Sequence, residues 1–84
     1  MAVVVRKATE EEKAVMLRET VWECGMSEFN WHYDSDETCM LVEGQATVTF
    51  GEGSVSLAAG DLAFFPKGLD CVWKISSPVK KHYR

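Results

Sequence analysis

Apolar residues along this chain change their spacing near Leu17. Before it, "ATEEEKAV" carries the clear helix signal: Thr9 can cap, Glu12 stands three residues on as its capping-box partner, and acidic residues fill the first turn. A short helix is predicted there. From Leu17 onward the period moves towards two, in short runs broken by glycine, proline and acidic turns. In "EFNWHY" the alternation predicts Phe29, Trp31 and Tyr33 on one strand face, with Asn30 and His32 on the other. "ETCMLVEG" and "QATVTFGEG" predict successive antiparallel strands, with turns at Glu43-Gly44 and Gly51-Glu52-Gly53. "SVSLAAGDLAFF" adds two short strands around Ala59-Gly60-Asp61, and "PKG" turns the chain again. "LDCVWKI" sets Leu69, Cys71, Trp73 and Ile75 against Asp70, Val72 and Lys74, and "VKKHYR" closes the chain after Pro78. Short strands at even spacing predict an all-β sandwich or small barrel, whose closed form would protect its strand edges.

Composition narrows the class. The 84 residues predict one domain over 1–84, because a chain this short buries only about 60% of its unfolded surface and cannot supply two cores. A hydrophobic content of 46% and a charged content of 26% fit a folded globular chain rather than a disordered one. A net charge of -4 argues against nucleic acid as a partner, and the basic end "KKHYR" reads as a solvated last strand. The apolar run in "MAVVVRKATEEEKAV" is too short for a signal peptide, and no later segment reaches the roughly 18 apolar residues of a membrane span. Cys24, Cys39 and Cys71 form neither a disulfide framework nor a paired zinc motif, so reduced thiols in a cytoplasmic protein are expected.

Two glycine-framed segments then carry a resemblance. Gly25 is followed by five residues, Trp31-His32-Tyr33, three residues, Glu37, six residues and Gly44. Fifteen residues later, Gly60 is followed by five residues, Pro66-Lys67-Gly68, two residues, Cys71, three residues and Ile75. This paired spacing resembles the two signature motifs of the cupin superfamily. The stretches "SEFNWHYD", "ETCMLVEG", "GDLAFFPKGLDCVW" and "PVKKHYR" are similar to its branch of ureidoglycine aminohydrolase and ethanolamine-utilisation cupins. The resemblance implies a cupin double-stranded β-helix, or jelly-roll barrel, over 25–84, with 1–24 as a helix and strand extension. It also implies a homodimer joined through edge strands and terminal segments, for which Val21 and Trp22 are candidates.

Metal-binding cupins use three histidines and one glutamate. The matching positions here hold Trp31, Tyr33, Glu37 and Cys71, of which only the glutamate is a good ligand, since an indole offers no lone pair. A shifted register would offer His32, Glu37 and Cys71, but it loses the Gly25 match and turns Phe29, Trp31 and Tyr33 outward together. Neither a metal nor a cofactor is expected.

Glu37 shares a strand face with Cys39 and Leu41, so an inward carboxylate is expected. Without a cationic partner its pKa would rise, fitting it for acid-base work. Tyr33 is the second catalytic candidate, through a hydroxyl donated to Glu37 or to a ligand, although an ordinary core aromatic fits as well. Trp31 and Trp73 are candidate walls of a cavity of about 300 Å³. Cys39 and Cys71 sit at inward positions as ligand contacts or as small buried hydrophobes. Lys81 could reach a ligand carboxylate or pair with Glu37, while His82 has the opposite parity. The resulting functional reading is a small-molecule-binding cupin with a degenerate metal site. The alternatives are a metal-free isomerase or lyase using Glu37 and Tyr33, and a metal enzyme of ureide or nitrogen metabolism.

Overall fold

The structure is a computed structural model and describes residues 2–51 and 53–84. In chain order these form β1 (Val4–Lys7), α1 (Glu10–Met16), β2 (Thr20–Cys24), β3 (Ser27–His32), β4 (Glu37–Phe50), β5 (Gly53–Ala58), β6 (Asp61–Phe65) and β7 (Asp70–Tyr83). All of the strand pairs are antiparallel.

Two 14-residue strands, β4 and β7, form the spine. They pair with each other from Cys39↔Tyr83 to Thr49↔Val72. On its outer side β4 carries β6 and then β5, while β7 carries β3 and then β2. The main path is β1-β6-β4-β7-β2, with β3 and β5 as branches. The seven strands among the described residues make one antiparallel sheet. One expectation is corrected here: Glu43-Gly44 is not a turn between strands, because β4 runs straight through it.

That difference has a local cause. At Gly44 the backbone takes φ 89°, and the β4–β7 register shifts between Leu41 and Ala46. Facing it on β7 stands Pro78, which has no N–H to give to a ladder and so marks an irregular step. Such a bulge bends the strands without ending them, and the sheet folds over its own core. A reversal does occur at Gly60 (φ 95°), where the Asp61 carboxylate accepts the Ala58 N–H at 2.9 Å. The expected Gly51-Glu52-Gly53 turn includes Glu52, which lies outside the described residues.

The core contains Cys39, Leu41, Val48, Trp73, Ile75 and Val79 from the inward positions of the two long strands, where the period of two places them, together with Tyr33, Leu57 and Phe65. A satellite cluster of Met16, Met40 and Leu62 lies under α1. The capping box is present: Glu12 N–H donates to Thr9 Oγ1 at 3.2 Å, and Thr9 N–H donates to Glu12 Oε1 at 2.9 Å. Arg6 of β1, a strand the sequence pattern did not single out, adds two bonds to the same carboxylate at 2.8 and 2.7 Å. Arg6 first, and then the Thr9 amide, hold the Glu12 carboxyl down to about 2. A depressed folded value means that this contribution is intact above the usual carboxylate range and is lost as pH falls towards about 2. An NMR titration of the Glu12 carboxyl carbon should therefore give a midpoint near that value; an ordinary carboxylate midpoint would show that the cap and Arg6 do not hold the side chain.

Candidate ligand-binding site

β3 delivers three aromatic side chains to one end of the folded sheet. Phe29, Trp31 and the following Tyr33 share a face, and neighbouring rings meet edge-on at 6.5 and 6.4 Å. Trp22 of β2 meets Phe29 at 6.2 Å, and Tyr33 stacks on Phe65 at 4.9 Å. Cross-strand registers Trp31↔Cys71 and Trp22↔Lys81 lay both outer strands against β7.

Within this aromatic wall is a cavity of about 120 Å³ lined by Trp22, Phe29, Trp31, Tyr33, Glu37, Trp73, Lys81 and Tyr83. It is smaller than the 300 Å³ expected because large rings fill much of the interior. All three tryptophans of the chain reach it.

Glu37 and Lys81 supply its charge. Lys81 Nζ lies 3.2 Å from Glu37 Oε2, with side-chain exposures of 9% and 17%. The carboxylate thus has the cationic partner whose absence the acid-base argument assumed. The ammonium also stands 4.6 Å from the Trp73 ring centre, 4.9 Å from Trp22 and 5.8 Å from Tyr83. Ring faces and a carboxylate together stabilise a cation removed from water.

Tyr33 does not bond to Glu37. Its hydroxyl accepts the Trp73 Nε1–H at 3.2 Å, which leaves the hydroxyl proton free to be donated. Burial, reinforced by the nearby Glu37, pushes the Tyr33 phenol far up, so it remains protonated.

The cysteines lie off the cavity lining. Cys39 is fully buried, and that burial pushes its thiol up to about 12 despite the nearby Lys81. Cys71 points at the Trp31 carbonyl, 3.6 Å away, and is raised chiefly by burial. Neither thiol is activated as a nucleophile. Cys24 is likewise a free thiol.

Of the residues singled out in the sequence, Tyr33, Glu37, Trp31, Trp73 and Lys81 are brought together, while Cys39 and Cys71 stand outside the lining. Trp22, Phe29 and Tyr83 complete the wall. Trp22 reaches it through nonlocal pairing with β7, whereas the alternation that selects Trp31 and Tyr33 already selects Phe29, and Tyr83 follows Lys81 by two residues on the same face of β7.

The donor set does not fit a divalent first-row metal. Of the four positions that hold ligands in metal-binding cupins, Glu37 and Tyr33 face the cavity with Trp31, and Cys71 is turned to a backbone carbonyl. His32, the possible substitute, pairs instead with Asp70 at 2.7 Å on the exposed side of β3 and β7. Among the described residues no group of three or more His, Cys, Asp or Glu converges as a metal site.

Comparison with known proteins agrees with the fold. Residues 9–83 match the family model described as EutQ-like cupin domain. A crystal structure of a DUF861 family protein from Thermotoga maritima is similar over 99% of this chain and 98% of its own, with 42% identity and a TM-score of 0.92. The Clostridium difficile EutQ protein is similar over 96% of this chain and 64% of its own, at 22% identity and TM-score 0.71. A putative ethanolamine utilization protein Q from Salmonella typhimurium covers 99% and 68%, at 22% identity and TM-score 0.69. At that identity the last two speak to the fold alone. No curated protein matches the chain.

Proposed function

The chain belongs to the EutQ-like cupin domain family, and we propose that it binds a small, largely planar molecule in the cavity between β2, β3 and β7. One observation carries this reading: a hydrogen-bonded Lys81–Glu37 pair opens onto a pocket walled by aromatic rings. Lys81 supplies N–H donors and Glu37 supplies acceptors, so the pair matches a ligand carrying both a carbonyl-type acceptor and a donor. The rings offer stacking surface to the ligand's plane. About 120 Å³ holds only a few heavy atoms and selects against larger metabolites.

Because every tryptophan lines the cavity, intrinsic fluorescence reports directly on occupancy. A panel of small amides, hydroxy ketones and carboxylic acids should include compounds that change the emission saturably, with the response lost in Trp73→Leu. A panel that leaves the emission unchanged would overturn the reading.

Metal-free proton-transfer catalysis is the second reading, favoured by the Glu37 carboxylate at the cavity wall beside a proton-carrying amine. For any substrate found, Glu37→Gln should abolish turnover while leaving binding measurable; unchanged turnover would remove Glu37 from that role.

The jelly-roll description, a cytoplasmic setting and a homodimer belong to the same proposal. Among the described residues β2 pairs only with β7, and its exposed Val21 offers an apolar edge to a second copy. Sedimentation as a monomer at micromolar concentration would remove the dimer. No helix among the described residues is long and apolar enough to cross a membrane.

A further inference from the structure

We infer that Lys81 captures small aldehydes or ketones as a reversible imine, with Glu37 carrying the protons. This rests on the cavity reading above and adds a covalent step to it. Lys81 is the buried lysine among the described residues, and its amine stands at the wall of a cavity with a carboxylate at 3.2 Å. Lysines used for imine chemistry share this setting: a desolvated amine, a nearby group that can take and return a proton, and space for a carbonyl compound.

The step balances without any further reactant. Glu37 takes one proton from the Lys81 ammonium, and the freed nitrogen pair attacks the carbonyl carbon. The carbonyl π pair moves to oxygen, which is protonated through Glu37, and the nitrogen returns a proton to the same carboxylate. Glu37 then protonates the carbinolamine hydroxyl, the C–O bond breaks and water leaves as the C=N bond forms. Nothing is oxidised or reduced.

The site's net charge is also unchanged, since an ammonium beside a carboxylate becomes an iminium beside a carboxylate. The cage of Trp22, Trp73 and Tyr83 that surrounds the ammonium at 4.6 to 5.8 Å would surround the iminium in the same way. Burial therefore does not penalise the product relative to the resting state.

The test is reductive trapping. The full chain is incubated at neutral pH with propanal and sodium cyanoborohydride, and propylated lysines are mapped by mass spectrometry over time. Lys81 should be labelled about tenfold faster than the exposed Lys7, Lys67 and Lys74, and Glu37→Gln should slow Lys81 about tenfold while leaving those three unchanged. Labelling of Lys81 no faster than the surface lysines overturns the inference in the wild-type chain alone, whether or not the variant folds. An equal Lys81 rate in folded Glu37→Gln overturns the role of Glu37. A saturable fluorescence response to propanal without a Lys81 adduct sinks the imine and leaves the cavity reading standing; surface labelling with no response to any compound sinks both.

Discussion

Gly44→Ala should destabilise the protein by at least about 3 kcal/mol, well beyond the cost of its backbone conformation alone. Two penalties coincide there. The φ of 89° lies in the left-handed region, which costs a residue with a Cβ about 1–2 kcal/mol. A Cβ would also overlap the backbone of Pro78 and come within 2.7 Å of the Ser77 carbonyl oxygen. Neither atom can move aside as a flexible side-chain end could. Gly60 separates the two terms: its φ is 95°, but an added Cβ meets nothing within 4 Å, so Gly60→Ala should cost only about 1–2 kcal/mol. Gly25 has open space and no positive φ, and Gly25→Ala should be close to neutral. Urea midpoints of the three variants check the order. Domains of this size have total stabilities of roughly 4–12 kcal/mol, so Gly44→Ala threatens folding itself. If Gly44→Ala and Gly60→Ala cost the same, the close approach of β4 to β7 at Pro78 is wrong.

The second large effect concerns the Lys81–Glu37 pair. Lys81→Met leaves a mostly buried carboxylate unpartnered, and Glu37→Leu leaves the ammonium with only ring faces around it. Each single change should cost about 2–4 kcal/mol, because losing one partner exposes the other to the full cost of its burial. The double variant replaces both with apolar groups of similar size and should recover most of that loss, giving a coupling of at least about 2 kcal/mol. Denaturation of all four proteins in one buffer measures it. Additive losses would mean that the two groups do not depend on each other. The pair adjoins a cavity, so the recovered stability should come with loss of binding, as expected where a polar pair is retained for function.

Alternation along β3, β4 and the last strand was enough to place Trp31, Tyr33, Glu37, Trp73 and Lys81 on the cavity side of their strands. These are local relations: a period of two needs only neighbours in sequence. Trp22 shows where such reasoning stops. Its strand is short and half-exposed, and it becomes a wall of the cavity only because β2 pairs with β7 in the register Trp22↔Lys81. Pairing across some sixty residues leaves no periodic trace. Gly44 fails for a different reason. Glycine beside an acidic residue serves equally for a hairpin turn and for a bulge within a continuous strand, and what decides is the proline opposite it on β7. The cysteines divide in the same manner, since alternation places Cys39 and Cys71 inward but says nothing of their depth relative to the cavity.

The position of β7 in the chain also bears on how the protein is made. This last strand is the partner of β2, β3 and β4, and it brings Trp73 and Lys81 to the site. On a translating ribosome the segment from β4 to β6 can begin to pair early, but β2 and β3 have no sheet to join until β7 has emerged. Until then their aromatic residues depend on crowding partners or chaperones for cover, and pairing over such sequence distances is slow. A pause or truncation within β7 would therefore release a chain with its tryptophans uncovered and its pocket unmade.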